Sequence, residues 1–295
     1  MQIRRVGDVR CKVGEGPIWD AATDELMFVD LVGQVLWTYR ESDERTTSIA
    51  MPQMIAAASR DALSRLIVVL ADGFYLVDED AENVTPIIKP ALALGTQFND
   101  AKVDPWGRFV AGAADQGMKN AIASIHSLQG DGSVTEIDTG FTIANGPCWS
   151  PGGATFYCAD SIAKRIYAYD YDGTTGTTAN RRVFAETEAL GGIPDGATVD
   201  ADGNVWMAMC GAGKIVCFAP AGTVVRSIDM PTAWVSSVMF GGTRLDRLYV
   251  TSLDSSVVGI PGDEGCGYLY VIDGLGATGL PEPRASVDSL AGPCA

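Results

Sequence analysis

The chain has 295 residues, of which 47% are hydrophobic and 20% charged, a balance typical of globular proteins. Its formal net charge of −16 argues against nucleic acid and anionic membranes as partners, because both would repel an acidic surface. The 34 glycines, many of them in turn-like pairs, favour an all-β chain over a helical one.

In chain order, the first predicted element is an alternating strand at residues 4–13, which has no partner nearby. A repeating unit then begins, with strands at residues 15–19, 25–30 and 33–39 and a polar outer edge at 41–48. Turns rich in Gly, Pro and Asp join the first and second strands of the units, as tight hairpins require. The unit recurs five times, with first strands at residues 55–59, 99–103, 145–149, 195–199 and 236–240.

A unit of about four strands that recurs roughly every 40–50 residues is typical of a β-propeller blade. The six units therefore predict a six-bladed β-propeller, built as a single domain over residues 1–295. The N-terminal strand would pair with the last blade and close the ring, which removes an open sheet edge. Residues 284–290 could supply the neighbouring strand.

The first residues of the six innermost strands predict a ring of side chains around the central channel. Equivalent positions of the innermost strands lie at one level in a propeller. Because side chains alternate along a strand, the first, third and fifth residues would share one face, with the first at the channel mouth. The ring consists of Glu15, Ile55, Asn99, Asn145, Asp195 and Ser236.

Four members of this ring carry side-chain oxygens that could hold a metal ion. Glu15 and Asp195 would balance a divalent charge, and Asn99 and Asn145 would add neutral oxygens. Oxygen donors without His or Cys suit calcium, magnesium or manganese. The alternative is a polar channel that holds ordered water, but buried carboxylates need partners and a metal ion is the simplest one. We expect one divalent ion, with Ca²⁺ as the first choice and Zn²⁺, Mn²⁺ or Mg²⁺ as alternatives.

Several segments resemble the family of senescence marker protein, gluconolactonase and luciferin-regenerating enzyme, and they span nearly the whole chain. They are residues 14–19 (GEGPIW), 98–108 (FNDAKVDPWGR), 145–151 (NGPCWSP), 194–196 (PDG), 200–204 (DADGN), 240–242 (FGG) and 248–251 (LYVT). The resemblance implies a six-bladed propeller with one divalent metal in its channel.

In that family, residues at the positions of Glu15, Asn145 and Asp195 bind the metal, and the residue at Asn99 completes the shell or contacts the substrate. The residue at Asp195 is also the usual candidate for activating water. The resemblance further implies hydrolysis of sugar lactones or, as in the related diisopropylfluorophosphatase, of organophosphorus esters.

The sequence departs from the sugar lactonases at three places. Gln97 stands where these enzymes often have Arg, and residues 112–114 are Gly-Ala-Ala in place of Gly-Thr-Met. Asp115 is out of step with their acidic sugar contact. The loss of a fixed cation and a carboxylate removes the anchors that recognise sugar hydroxyl groups.

These departures favour a lactone less polar than a sugar lactone, although a sugar lactone stays open. We expect Trp234 and Ile55 to form pocket walls and Gln97, Asn99 and Ser236 to contact the substrate.

The expected function is metal-dependent opening of a lactone by water that Asp195 and the metal activate. An organophosphate or other ester hydrolase on the same site and a non-catalytic calcium-binding regulatory propeller are the alternatives. A histidine-based triad is disfavoured because His126 is the only histidine and lies within a predicted strand away from the ring.

Seven cysteines occur without a Cys-x-x-Cys pair, and most lie in strand-like surroundings. No basic-then-apolar segment opens the chain, and the longest aliphatic run, residues 66–71, is too short to cross a bilayer. We therefore expect a cytoplasmic protein with a small-molecule substrate and no membrane partner. The sequence leaves the oligomeric state open.

Overall fold

The computed structural model describes residues 1–78, 81–260 and 262–287. In these ranges the chain forms six four-stranded antiparallel sheets, which are arranged as the blades of a β-propeller. The predicted all-β, six-bladed fold is therefore confirmed. No helix in the described ranges is long and apolar enough to cross a membrane.

The blades follow one another along the chain, each from its inner to its outer strand. Blade 1 contains β2 (Gly14–Asp20), β3 (Glu25–Asp30), β4 (Val35–Arg40) and β5 (Arg45–Ala50). Blade 2 contains β6 (Ile55–Arg60), β7 (Leu66–Leu70), β8 (Gly73–Val77) and β9 (Val84–Ile88). Blade 3 contains β10 (Thr96–Val103), β11 (Phe109–Asp115), β12 (Ala123–Leu128) and β13 (Val134–Phe141).

The remaining three blades have the same organisation. Blade 4 contains β14 (Ala144–Trp149), β15 (Thr155–Asp160), β16 (Arg165–Asp172) and β17 (Thr177–Glu186). Blade 5 contains β18 (Ile193–Val199), β19 (Val205–Cys210), β20 (Lys214–Phe218) and β21 (Val224–Asp229). Blade 6 contains β22 (Val235–Gly241), β23 (Arg247–Ser252), β24 (Tyr268–Asp273) and, as its outer strand, β1 (Gln2–Arg10). Two short 3₁₀ helices are Glu188–Leu190 and Ser255–Val258.

The N-terminal strand closes the ring as predicted. β1 pairs antiparallel with β24, with Gln2 opposite Asp273 and Val6 opposite Leu269. Blade 6 therefore reaches four strands without a further segment. The expectation that residues 284–290 add a strand there is wrong for residues 284–287, and residues 288–290 lie outside the described ranges.

Residues 278–286 instead run along the end of the channel opposite the mouth. They are hydrogen-bonded to the inner hairpin turns of four blades: the N–H of Ala201 donates to the carbonyl of Thr278, and that of Gly279 to the carbonyl of Leu245. Farther along, the N–H of Ala285 donates to Arg60 O at 3.0 Å, and that of Ser286 to Gly107 O at 2.8 Å. We call residues 278–286 the strap.

Apolar side chains of neighbouring blades pack against one another to form the core. Phe74 of blade 2 lies 5.3 Å from Phe98 of blade 3 between ring centroids, and both are fully buried. Each such burial stabilises the fold by about 2–3 kcal/mol. This packing between blades fixes where the inner strands begin, and so positions the channel mouth.

Candidate functional site at the channel mouth

The four oxygen-bearing side chains of the ring lie at the same end of the channel. They come from the inner strands of blades 1, 3, 4 and 5. Glu15, Asn145 and Asp195 are buried, with 6%, 5% and 7% of their surface exposed, whereas Asn99 is partly exposed. Asn99 Nδ2 donates to Asn145 Oδ1 at 2.7 Å, and the charge of Asp195 acts on Glu15. The structure thus brings the four predicted donors together.

The inner strands carry register irregularities at this level. The pairing of β2 with β3 shifts between Glu15 and Ile18, and that of β14 with β15 shifts between Asn145 and Cys148. The simple alternation that the sequence predicted is therefore wrong at the donors, because an extra residue turns the strand there.

Three of the donors, Glu15, Asn145 and Asp195, are each followed by a glycine, because the next blade lies too close for a side chain at that position. Gly16 and Gly146 have φ of +48° and +58°, a region that side chains disfavour. A Cβ on Gly146 would lie 2.7 Å from Asp195 O, and one on Gly196 would lie 1.9 Å from Ser237 Oγ. Each of the Glu-Gly, Asn-Gly and Asp-Gly pairs therefore combines a donor with a glycine that permits close contact between neighbouring inner strands.

A buried hydroxyl group fixes the orientation of the Asn145 amide. Ser161 Oγ donates to Pro194 O at 2.7 Å, so its proton is committed and it accepts from Asn145 Nδ2 at 2.9 Å. The Asn145 oxygen must then point the other way, toward Asn99. Because a carbonyl oxygen has two lone pairs, one stays available for a further partner.

Three carboxyl groups, Glu15, Asp100 and Asp195, share the mouth, and within the described ranges a cation, Lys102, acts on only one of them, Asp100. Burial raises the pKa of Glu15 and of Asp195 well above ordinary carboxyl values, and the charge of Asp100 raises both pKa values further. The pKa of Asp100 is raised by burial, against the opposing effects of the Gly146 N–H at 2.8 Å and the Lys102 ammonium. Glu15 and Asp195 therefore hold their protons more tightly than ordinary carboxyl groups, and their ionised forms would need a counter-charge.

Sequence reasoning missed Asp100 and Ser161. Asp100 directly follows Asn99, and strict alternation would have turned it away from the mouth; the irregularity between Phe98 and Asp100 in β10 changes that. The adjacent Asn-Asp pair was the available signal. Ser161 lies in the turn after β15, where serine is so common that its sequence context carries no signal.

The residues present fit a divalent cation. Within the described ranges, no three His, Cys, Asp or Glu side chains form a metal-binding group by themselves, so an ion here would need amide oxygens. Two buried carboxyl groups whose ionised forms would need a counter-charge, together with an Asn145 oxygen turned toward the mouth, meet that need. Glu15, Asn99, Asn145 and Asp195 would hold the ion, and their hard oxygens suit Ca²⁺, Mg²⁺ or Mn²⁺.

Two of the five predicted substrate contacts, Gln97 and Trp234, lie at the beginning of inner strands and have part of their surface exposed. Gln97 Oε1 accepts from Gln116 Nε2 at 3.0 Å, and Gln97 Nε2 lies 3.3 Å from Met54 Sδ. Trp234 is half-buried just before β22. The position at which sugar lactonases often have a cation is therefore occupied by a neutral amide with neutral neighbours.

Of the other three predicted contacts, Asn99 is the partly exposed donor described above, and Ile55 and Ser236 are fully buried. Ile55 packs in the apolar core of blades 1 and 2. Ser236 Oγ donates to Gly14 O and lies 3.0 Å from Thr251 Oγ1, so its hydroxyl group joins blade 6 to blade 1. Contact of either side chain with a substrate would require its neighbours to move.

His126 lies away from the mouth, as the sequence indicated. It is buried in β12, where Ser124 Oγ lies 2.8 Å from its Nε2 and burial lowers its pKa. Asp115 accepts the backbone N–H groups of Lys119 and Asn120, each at 2.9 Å, and so fixes its own loop.

Comparisons with known proteins agree with this architecture. The family model described as "SMP-30/Gluconolactonase/LRE-like region" matches residues 13–254. A pentonolactonase of Haloferax volcanii is 32% identical over 295 residues, which cover 97% of this chain and 99% of that protein. The regucalcin of Danio rerio is 30% identical over 277 residues, covering 92% of this chain and 93% of the relative.

Solved structures give the same result. A luciferin-regenerating enzyme superposes with a TM-score of 0.91 at 27% identity, covering 97% of this chain and 99% of that chain. A protein described as a calcium-binding protein, regucalcin, from Agrobacterium tumefaciens superposes with a TM-score of 0.88 at 25% identity, covering 96% and 97%.

Proposed function

The chain belongs to the SMP-30/gluconolactonase/LRE-like family, and we propose that it opens a lactone by hydrolysis at the channel mouth. The observation that carries the proposal is the pair of buried, uncompensated carboxylates, Glu15 and Asp195, beside the amides of Asn99 and Asn145. The pentonolactonase among its relatives supports hydrolysis of a lactone ring. The six described cysteines are buried free thiols, which supports the cytoplasmic setting that we propose.

Asp195 is the proposed general base. Its carboxylate accepts a proton from water while the water oxygen bonds to the lactone carbonyl carbon. When the bond between that carbon and the ring oxygen breaks, the proton passes to the ring oxygen, and the product is a hydroxy acid. A divalent cation held by the four donors would stabilise the negative charge that develops on the carbonyl oxygen. Asn99, the partly exposed donor, can complete the ion's shell or contact the substrate.

We propose a lactone less polar than a sugar lactone as the preferred substrate. Gln97 is uncharged, and its amide is already bonded to Gln116, so it offers no fixed cation to sugar hydroxyl groups. Trp234 adds an apolar, half-buried surface at the same end of the channel.

The test is a pH-indicator screen of lactones with the ion-loaded protein, followed by Asp195→Asn. This substitution keeps the size of the side chain but removes its basicity, so we expect kcat to fall by about 10³-fold while the fold persists. The matched control is Asp170→Asn, which changes an exposed carboxylate of blade 4 and should leave kcat unchanged. Activity of Asp195→Asn within a few-fold of the parent would refute the role of Asp195.

The same screen separates the alternatives. Phosphotriesters run beside the lactones test an organophosphate hydrolase, and the calcium-binding description of one structural neighbour motivates a parallel Ca²⁺ titration. Saturable Ca²⁺ binding without turnover of any ester would favour the non-catalytic reading. Removal of divalent ions with a chelator should abolish turnover, and adding an ion back should restore it.

A further inference from the structure

We propose that Lys102 is a positioning residue for Asp195, acting as a tether across the channel; the inference rests on the role proposed for Asp195. Lys102 belongs to β10, the inner strand of blade 3, and its Nζ donates to Ala197 O at 2.7 Å. Ala197 belongs to β18, the inner strand of blade 5. Blade 4 lies between these two blades in the ring. The hydrogen bond therefore joins two blades that are not neighbours, and it crosses the channel to do so.

The tether meets the main chain where β18 is least supported by its own sheet. The pairing of β18 with β19 shifts between Pro194 and Ala197, so the two residues between them are out of register with β19. Asp195 is one of these two. Lys102 therefore holds the main chain at the first residue where regular pairing resumes, two positions beyond the proposed base.

The surroundings allow little freedom on the other sides of this segment. A Cβ on Gly196 would meet Ser237 of blade 6, and a Cβ on Gly146 of blade 4 would meet the carbonyl oxygen of Asp195. Residues 195–197 are thus in contact with blades 4 and 6 at their sides, and Lys102 fixes them from the channel. The hydrogen bond from Lys102 therefore prevents residues 195–197 from shifting along the channel.

The ammonium group of Lys102 also lies near two buried carboxyl groups, Asp100 nearer the mouth and Glu282 on the strap. Burial raises the pKa of both carboxyl groups, and the charge of Lys102 opposes that rise. Lys102 and Glu282 also line a cavity of about 290 Å³ at the strap end of the channel. The cavity leaves room for a longer cation in place of Lys102.

The experiment compares Lys102→Met, Lys102→Arg and Arg226→Met with the parent. Methionine keeps the length of the side chain but not the donor, so kcat for the best lactone should fall by about tenfold or more, with KM changed by less than about threefold. Arginine keeps a donor and the charge, and should recover most of the loss. Arg226→Met is the control, because it also removes a cation that donates to a backbone carbonyl, Leu275 O at 2.6 Å, away from the mouth.

Two results would overturn the proposal: an unchanged kcat in Lys102→Met, or equal losses of kcat in Lys102→Met and Arg226→Met. If the parent opens no lactone, the proposed function fails separately, and Mn²⁺ binding by calorimetry decides the tether. Loss of positioning should weaken Mn²⁺ binding in Lys102→Met but not in Arg226→Met. Equal or tighter binding in Lys102→Met would overturn the tether, since the loss of a nearby positive charge alone favours a cation.

Discussion

The substitution Ser161→Ala tests whether the orientation of Asn145 matters for ion binding. It removes the acceptor for Asn145 Nδ2 and the donor to Pro194 O, and both groups are deprived of a partner in a buried environment. Two such losses, partly relieved by water, should cost about 2 kcal/mol of unfolding free energy. For a domain of 295 residues, that corresponds to a fall in Tm of roughly 3 °C.

The more specific effect of Ser161→Ala concerns divalent-ion affinity. Without the serine, the Asn145 amide is free to turn its nitrogen toward the mouth, where it cannot bind a cation. Loss of such an orienting partner should weaken ion binding by about tenfold or more, measured by calorimetry with Ca²⁺ or Mn²⁺.

The control for this experiment is Ser124→Ala, which removes a buried hydrogen bond to His126 in β12, away from the mouth. It should lower Tm with no change in ion affinity. If Ser161→Ala binds the ion as tightly as the parent, the argument that Ser161 orients Asn145 is refuted.

Two further predictions concern the same end of the channel. The pKa values of Glu15 and Asp195 are higher in the folded protein than in the unfolded chain, so the unfolded chain ionises first as pH rises. The free energy of unfolding of the ion-free protein should therefore fall as pH rises from about 4 through the raised pKa values. The gain in Tm on adding Ca²⁺ or Mn²⁺ should therefore increase between about pH 5 and pH 8, and a gain independent of pH would contradict the assignment. Gly196→Ala would force a methyl group into Ser237 and should destabilise the fold by about 1–3 kcal/mol and weaken ion binding. Gly152→Ala is the comparison for thermal unfolding, because Gly152 is exposed in a turn and a Cβ there would have nothing within 4 Å. Equal effects of the two substitutions would show that contact with blade 6 is not the cause.

The number of blades and the positions of the donors could be predicted from the sequence, because both follow from a repeated unit. The segments at Glu15, Asn99, Asn145 and Asp195 differ in detail but recur at the same place in the unit, so aligning the units aligned the donors. Closure by the N-terminal strand followed from the same count, because one strand was left without a partner.

The parts that the sequence did not predict depend on exceptions to the repeat. The register irregularities at the donors are set by how neighbouring inner strands pack, and the strap makes contacts that occur once in the chain. Ser161 and Lys102 act through bonds to main-chain carbonyl groups of another blade, at Pro194 and Ala197. Such bonds leave no pattern along the chain, because any residue at the accepting position supplies the same carbonyl oxygen.

Closure of the ring and binding of an ion at the mouth are thermodynamically coupled. Glu15 comes from blade 1 and Asp195 from blade 5, so the donors converge only when the intervening blades are in place. Ser236 of blade 6, bonded to Gly14 O, fixes the start of β2 directly beside Glu15. An ion that binds only the closed ring stabilises it by about 2.7 kcal/mol at a concentration one hundred times its Kd. Repulsion among the ionised mouth carboxylates therefore destabilises the closed ring. A bound cation would offset that repulsion and so stabilise the whole ring.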